Sequence, residues 1–201
     1  MAQSLSSPAD RIAGVLLALG ATAWGVATII VGEDVLLGIQ TLDTITGMMY
    51  VTGLWAFVWR VYAAGATGTR IGRIVPLGLL VLLPGAFLVN ALSFGYVTYD
   101  DFPMWLLILD ACWPLSQLGT LVLGIAIAVT GRFQGMLRWL PLVAGMWFPV
   151  TMLTTIVAGA TASTYVSAAW LIGTYAVIGV RLALSTPTQQ DLNTGRPSVQ
   201  A

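Results

Sequence analysis

Six long apolar segments, separated by short polar connections, dominate the hydrophobic pattern of the chain. They cover about 12–32, 44–65, 74–97, 104–130, 138–160 and 164–184. At a helical rise of about 1.5 Å per residue, each can cross a hydrocarbon core about 30 Å thick. Polar and apolar residues do not alternate within them, which favours helices over a transmembrane barrel. The pattern predicts an all-α bundle of about six transmembrane helices.

The connections between these segments refine the prediction. Residues 33–43 include an apolar run too short to span, which predicts a piece that lies on the surface or re-enters the membrane. Only a few residues around 160–163 separate the fifth and sixth segments, which predicts a tight antiparallel hairpin. The polar stretch 185–201 predicts a disordered cytoplasmic tail after a single membrane domain over 1–184.

Basic and acidic residues fall in alternate connections. If the amino terminus is cytoplasmic, all eight arginines lie at or near the cytoplasmic side: Arg11, Arg60, Arg70, Arg73, Arg132, Arg138, Arg181 and Arg196. The outer connections hold the acidic residues Glu33, Asp34, Asp43, Asp100 and Asp101, and no arginine. Cytoplasmic loops of membrane proteins are enriched in arginine and lysine. The arrangement predicts an inner-membrane protein with both ends in the cytoplasm.

Composition supports insertion and narrows the chemistry. The chain is 58% hydrophobic and 8% charged, against roughly 25% charged in soluble domains, so a lipid bilayer must cover most of its surface. It has no histidine, no lysine and one cysteine. The commonest metal ligand, a Schiff-base amine and an intramolecular disulfide are therefore excluded. We expect a non-enzymatic protein without catalytic residues, cofactor or metal, and the lack of a basic cluster argues against nucleic-acid binding.

Polar side chains concentrate in the predicted outer halves of the spans. The candidate ligand-binding residues are Asp110, Asn90, Tyr50, Gln117, Thr151 and Thr155. Asp110 and Gln117 are seven residues apart, on one face of a helix, and Pro114 leaves the carbonyl of Asp110 without a helical partner. A carboxylate inside the bilayer costs about 2.5–3.5 kcal/mol, so it must face inward, find partners or take up a proton. These residues predict a polar pocket.

A purely structural interpretation fits the same residues. If the fourth helix begins near Pro103, Asp110 lies close to the outer headgroups and meets water. Asn90 and the threonines then serve to hold neighbouring helices together. The deeper tryptophans, among them Trp24 and Trp147, either line a ligand site or fill the core.

Two functions follow from these alternatives. One is a protein that binds or transports a small neutral or cationic solute through the outer pocket. The other is a non-catalytic accessory subunit that docks on another membrane protein, or on a second copy of the chain, through ridges of small residues that permit close helix approach. The candidate ridges are Gly14, Ala18, Ala21 and Gly25 on the first segment, and Ala169, Gly173 and Ala176 on the sixth.

Overall fold

The computed structural model of the chain describes residues 7–68, 72–133 and 135–184. Helices account for most of these residues, and no strand occurs among them, which confirms the all-α class. Two of the eight arginines, Arg70 and Arg196, and the predicted tail 185–201 lie outside the described residues.

Eight α-helices follow one another along the described chain. They are α1 (Pro8–Val31), α2 (Thr41–Ala63), α3 (Ile74–Ser93), α4 (Met104–Asp110), α5 (Cys112–Thr130), α6 (Met136–Gly145), α7 (Trp147–Trp170) and α8 (Val177–Ala183). Short 3-10 segments at Gly32–Leu36 and Tyr99–Asp101 follow α1 and precede α4, and the π-helical turn Leu171–Ala176 joins α7 to α8. The connection 33–43 is thus partly a 3-10 turn that leads into α2.

Prolines account for two interruptions between consecutive helices. The break at Ala111 between α4 and α5 lies three residues before Pro114, and the break at Met146 between α6 and α7 lies three residues before Pro149. A proline removes the hydrogen bond to the carbonyl four residues earlier, and its ring crowds that carbonyl. Each break therefore divides one apolar segment into two helices that are separated by a single residue.

Helix α7 reverses direction at Gly159. The backbone there has φ 87° and ψ 173°, a region that is essentially restricted to glycine. The indole N–H of Trp147 donates to the hydroxyl of Ser167 at 2.9 Å, although residues 20 apart in a straight helix are about 30 Å apart. Residues 136–158 and 160–183 are therefore the first and second arms of an antiparallel helical hairpin.

Small residues bring α1 into close contact with neighbours on two sides. A Cβ atom added to Gly14 would lie 2.5 Å from the carbonyl oxygen of Gly179 in the second arm. A Cβ atom added to Gly20 would lie 2.5 Å from the carbonyl oxygen of Met49 in α2. Backbones can approach this closely only where side chains are absent or very small, so α1 occupies the centre of the packing.

The two predicted small-residue ridges have different positions. The ridge on α1 packs inside the bundle, because its Gly14 and Gly25 both meet the second hairpin arm. On the second arm, Ala169 and Gly173 are exposed and only Ala176 of that ridge is buried. The face that packs against α1 instead includes Ala168 and Gly179.

Four helical segments in the described chain are long and apolar enough to cross a membrane: Pro8–Leu36, Ile74–Ser93, Met104–Thr130 and Trp147–Ala183. Many of the large side chains on the outside of the bundle are apolar, including Ile12, Leu19 and Ile30 on α1. Contiguous apolar surface of this kind needs lipid or protein to cover it. The fold is accordingly that of a helical membrane protein.

The two ends of the bundle carry opposite charges. At the arginine end, where α1 begins and α2 ends, Arg60 contacts Asp10 at 2.6 Å and Arg132 donates to the carbonyl of Gly65 at 2.7 Å. The other end, which we call the acidic end, contains Glu33, Asp34, Asp43, Asp100 and Asp101.

Candidate functional site

Five aromatic rings from different parts of the bundle form its centre. Trp24 packs against Tyr50, Trp113 and Trp147, with ring centroids 4.8, 5.3 and 5.3 Å apart, and Tyr50 meets the edge of Tyr175 at 5.2 Å. Aromatic contacts of this type add about 0.5–1.5 kcal/mol each to the burial of their area. We call these five residues the aromatic core.

The polar edges of the aromatic core are paired with side chains of α5. The hydroxyl of Tyr50 donates to Oε1 of Gln117 at 3.4 Å, and the hydroxyls of Tyr175 and Thr120 lie 3.4 Å apart. These four side chains are buried, where an unpaired polar group would be costly. They form a polar layer that connects α2, α5 and the second hairpin arm.

A cavity of about 290 Å³ lies beside the aromatic core, towards the acidic end. The end of α1, the first turn of α2 and the two hairpin arms surround it. Its aromatic wall consists of Trp24, Trp147 and Phe148. Its polar lining residues are Thr28, Glu33, Asp43, Thr151, Thr155, Ser163, Thr164 and Ser167. Convergence of an aromatic wall and a few polar groups on a concave site is typical of small-molecule binding sites.

The indole N–H groups in the cavity wall are already used within the protein. Trp24 donates to Oδ1 of Asp43 at 2.8 Å, and Trp147 donates to the hydroxyl of Ser167 at 2.9 Å. Each indole has a single donor. Both tryptophans therefore contribute ring surface to the cavity, and not hydrogen-bond donors.

The threonine hydroxyls of the wall are engaged in the same way. Thr151 donates to the carbonyl of Trp147 at 2.9 Å, and Thr164 donates to the carbonyl of Ala160 at 3.0 Å. Thr28 likewise donates to the carbonyl of Trp24 at 2.8 Å. A hydroxyl that donates its one hydrogen still has lone pairs, so these groups face a ligand as acceptors.

Asp43 and Glu33 set the electrostatic character of the cavity. Asp43 lies in the first turn of α2, just before the predicted span 44–65, and burial raises the pKa of its carboxyl while the hydrogen bond from Trp24 opposes that shift. Glu33 is exposed at the rim and accepts a hydrogen bond from Thr161. Among the described residues, no arginine lines the cavity. The ionisable side chains in its lining are therefore both acids.

The six predicted site residues divide into three groups. Thr151 and Thr155 line the cavity. Tyr50 and Gln117 are hydrogen-bonded to each other in the polar layer. Asn90 and Asp110 form the third group: Asn90 lies in the last turn of α3, and Asp110 is the last residue of α4.

Asn90 and Asp110 are not cavity residues in the described structure. The side chain of Asn90 accepts the indole N–H of Trp113 at 3.0 Å. Asp110 is half-buried and makes no hydrogen bond to another described side chain, but it lies near the 3-10 segment at Tyr99. Burial and the nearby carboxylates of Asp43 and Asp110 raise the pKa of Tyr99.

The chain matches no family model, no curated protein and no solved structure. Its site must be interpreted from its own geometry. Among the described residues, no group of three histidine, cysteine or acidic side chains is close enough to hold a metal ion.

Sequence reasoning did not select Asp43, which supplies a half-buried carboxylate to the cavity. It lies at the start of a predicted span, where an acid at a helix amino terminus is ordinary. One feature of the sequence could have indicated the pair. Only a short connection joins the helix that contains Trp24 to the helix that contains Asp43, so the last turns of α1 can meet the first turn of α2. The pairing itself depends on how the two helices are rotated, and periodicity does not specify that.

Proposed function

We propose that this chain is a non-enzymatic, multi-pass protein of the inner membrane that binds a small solute in the cavity at its acidic end. The observation that carries the proposal is the cavity itself, which is bounded by α1, α2 and the hairpin and has both aromatic and polar walls. Its volume of about 290 Å³ is near the lower limit for ligand sites, which suits a small molecule.

Six spans with cytoplasmic ends are part of this proposal. Each hairpin arm contains over 20 residues, enough to cross the hydrocarbon core separately. Helix α2 has a similar length. Its polar threonines are compatible with a span because their hydroxyls can donate to backbone carbonyls of the same helix, as Thr52 does to Met48 at 2.8 Å. The arginine end is then cytoplasmic under the rule for basic residues, and the cavity opens towards the outside.

The predicted site residues take different roles in the proposal. Thr151 and Thr155 contact the solute from the first hairpin arm. Tyr50 and Gln117 support the cavity from below, since Tyr50 packs directly against Trp24 of the wall. Transport through the bundle would require the aromatic core to open, so the solute site is a binding site reached from the acidic end.

The accessory-subunit alternative lacks a comparable observation. Its main motive was the ridge on α1, and that ridge is occupied by the second hairpin arm. A partner would need another surface, such as the exposed part of the other ridge at Ala169 and Gly173.

The proposal predicts that filling the cavity abolishes solute binding. Met152 is exposed and lines the cavity, so Met152→Trp adds bulk there with little loss of packing. Purified protein in lipid nanodiscs should show a ligand-dependent rise in Tm with members of a panel of small neutral, cationic and anionic solutes. Met152→Trp should remove that rise.

Leu153→Trp is the matched control. Leu153 is the next residue, is also exposed, and does not line the cavity. This variant should keep the ligand-dependent rise in Tm. If no solute in the panel gives a rise that Met152→Trp removes and Leu153→Trp preserves, the cavity is not a binding site.

A further inference from the structure

We propose that the cavity selects an organic cation, a protonated amine or a quaternary ammonium group, which sits against the faces of Trp24 and Trp147 with its charge near Asp43. This inference rests on the proposed function, because it assigns the class of ligand to the same cavity. Three independent features of the wall carry it: the orientation of its donors, the sign of its charges and its aromatic surface.

The wall offers acceptors and few donors. Both indole N–H groups and the hydroxyl hydrogens of Thr28, Thr151 and Thr164 are bonded within the protein. Ser163 also donates to a carbonyl, that of Thr151, at 3.0 Å. An anion needs donors, and these groups would have to break internal bonds first. Of the lining hydroxyls, that of Ser167 accepts the indole N–H of Trp147 and keeps its own hydrogen. A ligand with its own N–H groups, or with positive charge and no donors, can bind without breaking any of these internal hydrogen bonds.

The charges of the wall agree with its hydrogen bonding. Asp43 and Glu33 are its ionisable lining residues, and both are acids. Two helix amino-terminal ends, those of α2 and the second hairpin arm, and two carboxyl-terminal ends, those of α1 and the first arm, reach the cavity, so their helix-dipole contributions oppose one another. The carboxylates therefore determine the sign of the local field.

The aromatic surface adds a specific attraction for cations. The ring centroids of Trp24 and Trp147 are 5.3 Å apart at an interplanar angle of 57°, so the rings form a tilted corner. Tryptophan gives the strongest cation–π attraction of the aromatic side chains, and the interaction strengthens when water is excluded. Recognition of quaternary ammonium groups by aromatic cages uses the same physics.

The deciding experiment compares three probes of nearly the same shape and different charge. Choline carries a quaternary ammonium, 3,3-dimethylbutan-1-ol is its neutral analogue, and 3,3-dimethylbutanoate is an anion. Binding to the full chain in nanodiscs is followed by calorimetry and by tryptophan fluorescence. We expect choline to bind at least tenfold more tightly than the neutral alcohol, and the anion not to bind.

Asp43→Asn tests the assigned carboxylate. Asparagine keeps an oxygen for the indole N–H of Trp24 and nearly the same shape, but removes the charge. It should weaken choline at least tenfold and leave the alcohol nearly unchanged. Asp100→Asn is the matched control, because Asp100 is exposed at the same end and does not line the cavity. It should leave both affinities unchanged.

The outcomes separate the two proposals. Equal affinity for choline and the alcohol, with both lost in Met152→Trp, would overturn cation selectivity and leave the solute site intact. Choline binding that Asp43→Asn does not alter would also overturn the inference. If none of the three probes binds while a neutral or anionic solute of the panel still occupies the cavity, the cation assignment alone fails. If nothing binds in the cavity, both proposals fail together.

Discussion

Asp10 is a fully buried carboxylate at the arginine end of the bundle. Its Oδ2 atom accepts the backbone N–H and the hydroxyl of Ser7, at 2.9 and 2.7 Å, which closes a capping box at the start of α1. Its Oδ1 atom accepts Nε of Arg60 from the end of α2 at 2.6 Å. One carboxylate thus caps its own helix and ties α1 to α2, so that both oxygens are satisfied.

Removing the arginine should leave that carboxylate buried without a cation. Arg60 is itself only 20% exposed, so we expect Arg60→Met to lower the free energy of unfolding by about 3 kcal/mol, the low end of the cost of breaking a buried pair. Denaturation in mixed micelles measures the loss. Asp10→Asn added to Arg60→Met should recover part of it, because the buried group is then neutral.

Arg11→Met is the control for that substitution, since it removes the same charge from an exposed neighbour at the same end. Its effect should stay within about 0.5 kcal/mol. If Arg60→Met is as mild as Arg11→Met, the ion pair does not stabilise the bundle.

At the scale of the elements, glycine positions decide which helix faces meet. The second hairpin arm has small residues on two neighbouring helix faces. One face contains Ala169 and Gly173, and the other contains Ala168 and Gly179. Periodicity is the same for both. The structure packs the second face against α1, where a Cβ atom on Gly179 would lie 2.5 Å from the carbonyl oxygen of Gly14. The first face is exposed.

Two glycine substitutions on the second arm should therefore differ sharply. Gly179→Ala forces two backbones apart and should cost about 1–3 kcal/mol, as overpacking does. Gly173→Ala meets nothing within 4 Å and should be neutral, or stabilise by up to about 1 kcal/mol through helix propensity. Unfolding of both variants under the same conditions compares them. Equal effects would mean that α1 and the second arm do not pack closely.

At the scale of the whole molecule, the separation of charges is the basis of the proposed orientation. Arg60 and Arg132 make their contacts at the arginine end, and Asp43 and Glu33 make theirs at the acidic end. Because cytoplasmic loops of membrane proteins are enriched in arginine, the orientation that we propose places the arginine end in the cytoplasm. In that orientation the cavity lies with the acids on the outer side, where the proposed solute would enter.

Cysteine labelling tests this orientation. In a Cys112→Ser background, Asp100→Cys should react with a membrane-impermeant thiol reagent in intact cells, because Asp100 is exposed at the acidic end. Leu184→Cys, exposed just after α8, should react only after the membrane is opened. Reaction of both positions in intact cells would contradict three spans between Asp100 and Leu184, and the opposite pattern would reverse the orientation.

Local features of the sequence determine much of the architecture. Helical character and four membrane-length apolar segments follow from composition and from the absence of alternation, since a backbone in lipid must satisfy its own hydrogen bonds. The break at Ala111 follows from Pro114, and the predicted reversal near residue 160 occurs at Gly159. Each of these depends on a residue's own backbone chemistry or on hydropathy summed along the chain.

The cavity was decided by tertiary structure. Asp110 and Asp43 both lie near the acidic end, and sequence reasoning chose Asp110 because it lies deeper within a span. The rotation of α1 against α2 brings Trp24 to Asp43, and the hairpin adds Trp147 and Thr151. Helix rotation depends on which small residues allow close approach. Several faces offer such residues, so the choice among them comes from packing of the whole bundle and not from any single segment.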